Sequence, residues 1–281
     1  MKNIGVIGAG VMGTGVAQSF AQSGNKIVLL DISQDIIETS EKEIGNNLRF
    51  RALFSKDKEL EDSQRILERI TFTTDYTLLK SMDFVIENVS EIWEVKKSVY
   101  EKINEICAEN CIFMVNTSCI SITKIASLLK KPDNVIGTHF MNPVPLKPTV
   151  EAIRGYHTSD ETISQVAELL RSTGKEMILV NDYPGFVSNR ISHLYMNEAA
   201  FVVQDQVASP EDVDDIFKKC YGHVMGPLET ADLIGLDTVV NSLDILYNSY
   251  QDSKFRCCPL LRKMAEAGLC GKKSGKGFYT Y

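Results

Sequence analysis

Nowhere among the 281 residues does an apolar run approach the ~20 that a membrane-spanning helix needs, so a spanning protein is not expected. An excess of basic charge is also missing. The 30 Lys and Arg stand against 37 Asp and Glu, a formal net charge of −7. A non-specific nucleic-acid binder needs a basic surface, so that class is set aside, although a local basic patch for a phosphorylated ligand stays open. The seven cysteines show no zinc spacing. Cys107 and Cys111 are four apart with no Cys/His pair nearby, and Cys257 and Cys258 are adjacent, so no metal site is expected. An odd cysteine count, with a first strand that begins almost at once and leaves no room for a signal segment, predicts reduced thiols in a cytoplasm. Repeats and low-complexity segments are absent. Only four histidines could move a proton near neutral pH.

What is present is an ordinary globular composition, 44% hydrophobic and 24% charged, organised around its first fifteen residues. Ile4–Ile7 reads as a buried strand, and Gly8, Gly10 and Gly13 form a GxGxxG that opens a helix. Gly8 permits the tight turn, Gly10 lets a pyrophosphate approach the backbone, and Gly13 lets the helix pack on the sheet. The unpaired N–H groups of the first turn, from Gly8-Ala9-Gly10-Val11-Met12-Gly13, point at the phosphates. Alone the motif is weak, because glycine turns also serve packing. Here a helix over Thr14–Ser23, a stop at Gly24 and a strand Lys26–Leu30 follow, ending at Asp31. Asp31 lies 18 positions past Gly13, close to the spacing of a ribose-binding carboxylate, which is about 20 residues. With no arginine next to it to take a 2′-phosphate, NAD is expected rather than NADP.

Further along, helices are predicted over Asp35–Leu53 and Glu59–Glu68, with a charged break between them carrying Lys56 and Lys58. Strands are predicted at Ile70–Thr74, Asp83–Glu87, Cys111–Val115, Val135–His139, Val150–Arg154 and Lys175–Asn181. Helices are predicted at Trp93–Ile106, Ser121–Leu129 and Thr162–Ser172. The Asn116-Thr117-Ser118-Cys119 cluster at a strand's carboxyl end is where open α/β sheets bind ligands. After the turn cluster Asp182-Tyr183-Pro184-Gly185 the strand pattern stops. Phe186–Asp205, Pro210–Cys220, Leu228–Tyr250 and Leu260–Ala267 read as helices. The expected fold class is therefore α/β: a Rossmann-type, doubly wound dinucleotide-binding domain over 1–184, followed by an all-α domain over 185–281.

Of the four histidines, only His139 ends an apolar strand before an irregular segment, and Glu151 lies twelve residues on. Adjacent strand ends can join the two, and a carboxylate-bound imidazole is suited to take a hydroxyl proton. On spacing alone a structural histidine is the commoner reading. The chain, however, resembles the 3-hydroxyacyl-CoA dehydrogenase family nearly end to end. The resemblance rests on Gly8–Gly13 with Asp31, Glu87-Asn88-Val89-Ser90-Glu91, Asn116-Thr117-Ser118, His139-Phe140-Met141-Asn142-Pro143, Pro184–Arg190, Met225–Glu229 and Gly275–Tyr279. It implies His139 as general acid/base, Glu151 as its orienting carboxylate, and Ser118 and Asn189 at the substrate oxygen. It implies Asp31, Glu91, Lys96, Ser118, Asn142 and Lys273 as cofactor contacts, and a helical domain that closes over the substrate and forms a homodimer.

Blander readings stand beside these. Glu91 and Lys96 could cap and solvate a helix start, Asn142 could satisfy a Pro-rich turn, Asn189 could be a buried helix residue, and Lys273 a tail charge. His193, one turn after Asn189, could read a polar substrate. Cys119 stands where many members have serine, and a small buried filler is its stronger reading. Proline occupies Pro148, where a lysine is common. The Arg49–Lys58 lobe, which helps bind the coenzyme A phosphates in the family, is diluted by acidic residues. The Thr138–Lys147 run resembles the branch that oxidises small glyceryl- or seryl-type groups on an acyl carrier protein. The expected function is interconversion of a 3-hydroxyacyl thioester, coenzyme A- or carrier-linked, and its 3-oxo form with NAD. The alternatives are that carrier-protein activity, an inactive NAD-binding structural or regulatory protein, and a dehydrogenase of free hydroxy acids.

Overall fold

The computed structural model describes residues 1–54 and 61–281. They form two compact units, Met1–Asp182 and Tyr183–Tyr281. The first opens with β1 (Asn3–Ile7), α1 (Val11–Gln22) and β2 (Lys26–Leu30). It continues through α2 (Gln34–Phe54), α3 (Ser63–Leu67), β3 (Ile70–Thr73), β4 (Phe84–Glu87), α4 (Trp93–Ile106), β5 (Ile112–Val115) and α5 (Ile122–Ala126). It ends with β6 (Val135–Phe140), β7 (Thr149–Arg154), α6 (Asp160–Ser172) and β8 (Glu176–Asn181).

The strands make one eight-stranded sheet, in the order β3-β2-β1-β4-β5-β6-β7-β8. β4, β5 and β6 are buried along their whole length, as strands covered on both faces must be. Every neighbouring pair is parallel except β6 and β7. The link from Phe140 to Thr149 is too short for a parallel crossover, so β7 returns antiparallel. This makes His139 and Glu151 direct cross-strand partners, where the sequence had placed them on adjacent strand ends. Phe20 of α1 packs edge-on against Phe140, centroids 6.2 Å apart, and ties the end of β6 into the core.

α1 begins at Val11, three residues before the predicted Thr14, because the turn can close at once. A Cβ on Gly13 would stand 1.7 Å from the Gly8 carbonyl oxygen, so only glycine lets the helix start this tightly. α3 and α5 are shorter than predicted, and the charged break with Lys56 and Lys58 lies outside the described residues.

The second unit holds α7 (Ser188–Gln204), α8 (Pro210–Tyr221), α9 (Pro227–Ile234), α10 (Leu236–Tyr250) and α11 (Pro259–Glu266). Met196, Ala200, Leu228, Leu236, Leu243 and Leu261 belong to its core. The single helix predicted over Leu228–Tyr250 is two helices. Gly235 between them has φ +104°, which side-chain-bearing residues rarely adopt. Two buried aspartates replace missing backbone partners. Asp214 accepts from Leu228 N–H (2.9 Å) and Glu229 N–H (2.8 Å) at the start of α9. Asp232 accepts from Phe278 N–H (3.0 Å) and Tyr279 N–H (2.9 Å), anchoring the C-terminal segment.

Candidate active site

The glycine turn leaves the first turn of α1 without a side-chain cap. A Cβ added to Gly10 would meet nothing within 4 Å, so the space in front of these N–H groups is open. An anion fits there, held by the unpaired donors and the helix dipole. Asp31 closes the far side. Its Oδ2 accepts from Ala9 N–H (2.8 Å) and its Oδ1 from Ser33 N–H (3.2 Å). A carboxylate oxygen has a further lone pair, so the half-exposed group can still accept from a ribose hydroxyl. The residues present therefore suit a dinucleotide.

Beyond β4, on β6, β7 and the turn after β5, three side chains meet in sequence. The His139 Nδ1 lies 3.0 Å from the Glu151 carboxylate, and its Nε2 lies 3.2 Å from Ser118 Oγ. His139 and Glu151 are each 8% exposed. A carboxylate can only accept, so Nδ1 carries a proton; in the neutral ring Nε2 is then the acceptor, and Ser118 Oγ–H can donate to it. The imidazole is thus held as a base with its basic nitrogen toward the Ser118 turn.

That turn is built by Glu91. Its Oε1 accepts from Thr117 Oγ1–H and from three successive N–H groups: Ser118 (3.0 Å), Cys119 (2.9 Å) and Ile120 (3.3 Å). Composition gave no signal of this, because a glutamate 27 residues away from Ser118 caps nothing in its own segment. Lys96 is not solvated. Its side chain is 0% exposed, and Nζ donates to both Glu87 oxygens (2.8 Å each) and to the Asn116 carbonyl (3.0 Å). With three ammonium protons so committed, Lys96 reaches the site through Glu87, Glu91 and Asn116 instead of through an open charge. Burial pushes the Glu87 carboxyl above its ordinary range, while Lys96 pulls it back. Of the four-residue polar cluster, Asn116, Thr117 and Cys119 are buried and Ser118 is the one that is not.

Asn142 is exposed and lines a groove of about 920 Å³ that also touches Gln18, Asn47, Arg51, Lys147 and Lys175. Lys175 donates to the Val144 (2.7 Å) and Lys147 (2.9 Å) carbonyls, and burial lowers its pKa. In the second unit, the Asn189 carbonyl accepts from His193 Nδ1–H at 2.9 Å, which ties that buried ring to its own helix. Lys273 pairs with Asp237 at 2.6 Å. His157 and His223 are exposed.

Residues 3–183 match the family model described as 3-hydroxyacyl-CoA dehydrogenase, NAD binding domain, and residues 185–281 match the C-terminal domain of the same family. A probable 3-hydroxybutyryl-CoA dehydrogenase of Deinococcus radiodurans is 45% identical over 99% of both chains. The 3-hydroxybutyryl-CoA dehydrogenase of Clostridioides difficile is 42% identical, again over 99% of each. Among solved structures, the (S)-3-hydroxybutyryl-CoA dehydrogenase of Ralstonia eutropha superposes with a TM-score of 0.96 at 40% identity, over 100% of this chain and 99% of that one.

Proposed function

The chain belongs to the 3-hydroxyacyl-CoA dehydrogenase family and is an NAD-dependent oxidoreductase of 3-hydroxyacyl thioesters; from that premise we propose that it interconverts 3-hydroxybutyryl-CoA or a similar short 3-hydroxyacyl-CoA and the 3-oxo form, with His139 as the acid–base group. The observation that carries the assignment is the Ser118–His139–Glu151 line, at 3.2 and 3.0 Å.

In the oxidation, Nε2 of His139 takes the C3 hydroxyl proton. Bound NAD would supply the acceptor for the hydride lost from C3. Glu151 keeps Nδ1 protonated and stabilises the cation that forms. Ser118 holds the substrate oxygen. In the reverse direction His139 returns the proton to the 3-oxo oxygen. Asp31 holds the adenosine ribose and the Gly10-Val11-Met12-Gly13 turn the pyrophosphate, while the Gly8 and Ala9 N–H groups are committed to the Leu30 carbonyl (2.7 Å) and to Asp31 (2.8 Å) and shape that turn. Glu91, Lys96 and Asn142 complete the cofactor set, Lys96 by fixing its neighbours.

We read the carrier as coenzyme A, because full-length relatives carry that name. The groove beside Arg51 and Lys147 is open and partly basic enough for its phosphates. The carrier-protein, free-acid and inactive readings have no comparable support. The division at residue 184 separates nucleotide binding from a helical domain that forms a homodimer. No helix among the described residues is long and apolar enough to cross a membrane, and a cytoplasmic location suits the free cysteines.

The test compares kcat/KM for NADH with acetoacetyl-CoA, the matching carrier-linked thioester, and free acetoacetate. Coenzyme A thioester turnover well above both others is expected. Equal or better use of the carrier-linked or free substrate overturns the reading.

A further inference from the structure

We propose that Asn116 is a positioning residue for the His139 ring, a proposal that rests on His139 being the acid–base group. β5 ends at Val115, so Asn116 is the first residue past the ladder. All four of its polar groups reach other segments of the first unit. Its N–H donates to the Glu87 carbonyl at 3.0 Å, and its carbonyl accepts from Lys96 Nζ at 3.0 Å. In the side chain, Nδ2–H donates to Asn88 Oδ1 at 2.7 Å, and Oδ1 accepts from the Phe140 N–H at 3.3 Å.

The last of these contacts matters because of where the β5–β6 ladder stops. Its register runs Phe113 with Val135, Met114 with Ile136 and Val115 with Gly137. His139 lies two residues beyond the last pair. On the opposite side β7 still holds the strand, His139 with Glu151 and Phe140 with Val150. On the β5 side the Asn116 amide takes over, gripping the peptide that joins His139 to Phe140. Two residues further along the same backbone stands Ser118, the other partner of the ring. One side chain therefore couples the strand that carries the base to the turn that carries its hydroxyl neighbour. Asn88 fixes the amide from β4, and the buried Lys96–Glu87 pair fixes its backbone. The amide has both a donor and an acceptor in use, so an apolar residue of similar size would lose the coupling.

The experiment measures kcat and KM across pH for Asn116→Ala, Asn116→Asp, Asn88→Ala and His139→Gln in the full chain. Asn116→Ala is expected to lower kcat about 10–100-fold, the scale of a displacement near 1 Å, with both KM values within about twofold. Asn116→Asp keeps the acceptor for Phe140 N–H and is expected to recover about tenfold of the loss. Should Asn116→Ala fail to fold, Asn88→Ala carries the test: it leaves the amide in place but frees its anchor, and kcat alone is expected to fall about threefold to tenfold. Folded Asn116→Ala with kcat within about twofold of wild type overturns the proposal, as does an aspartate variant no better than the alanine one. His139→Gln separates the two layers. If it turns over like wild type, the reading of the base is wrong; if it is crippled while Asn116→Ala is not, only the coupling is wrong.

Discussion

At the scale of single residues, the site depends on which lone pairs are left open. His139 faces a carboxylate that can only accept and a hydroxyl that can give, so its tautomer follows from its partners. His139→Gln is expected to reduce kcat about 10²–10⁴-fold while NADH binds as before, checked by stopped-flow turnover and fluorescence titration. Glu151→Gln retains the volume and an acceptor oxygen but removes the charge that stabilises the imidazolium. Its kcat is expected to fall within the same range of about 10²–10⁴-fold, with KM for the thioester nearly unchanged. The His139–Glu151 pairing was only half legible beforehand. Two suitable residues twelve apart could be seen, but not that the short loop after Phe140 turns the next strand around and sets them opposite one another.

At the scale of elements, the first strand–turn–helix separates two kinds of glycine. Gly13→Ala drives a Cβ to 1.7 Å from a backbone oxygen that cannot move aside. A destabilisation of about 3 kcal/mol or more is expected, read as a lower Tm. Gly10→Ala meets no atom within 4 Å, so its Tm should stay at the wild-type value while NADH binding weakens about tenfold or more. Loss of stability in the second variant, or tight NADH binding by it, would count against the phosphate site. At α9, Glu229 accepts from Gly226 N–H (3.2 Å) and Lys218 Nζ (2.8 Å), and the lysine holds its carboxyl below the ordinary 4.5. A depressed folded-state pKa adds stability above the unfolded value that is lost as pH falls. The Tm gap between wild type and Glu229→Gln should therefore be full above pH 4.5 and shrink below it, as scanning calorimetry at several pH values can check. The break at Gly235 was not legible, because the apolar spacing of Leu228–Tyr250 continues straight through it and only the backbone angle marks the stop.

At the scale of the whole molecule, ligand binding and folding are linked. NADH at about 100 times its Kd should stabilise the protein by about 2.7 kcal/mol, seen as a rise in Tm. NADPH should do so far less, because the Asp31 carboxylate opposes a 2′-phosphate. Asp31→Ala should reduce the NADH-induced rise. An equal response to both cofactors would remove Asp31 as the selecting group.

The residues by themselves determined the order of the strands, the nucleotide turn with its acid, and the change to an all-helical segment at the Asp182–Gly185 turn cluster. These are local signals: apolar periodicity, glycine spacing and turn composition act over a few residues, and each element bears them in its own segment. The tertiary structure alone decided that Glu91 shapes the Ser118 turn, that Lys96 is buried between carboxylates, and that Asn116 bridges three strand ends. A polar side chain in sequence carries no mark of its distant partner. Only when the sheet brings the ends of β4, β5 and β6 together does the cost of leaving a buried polar group unpaired dictate who bonds to whom.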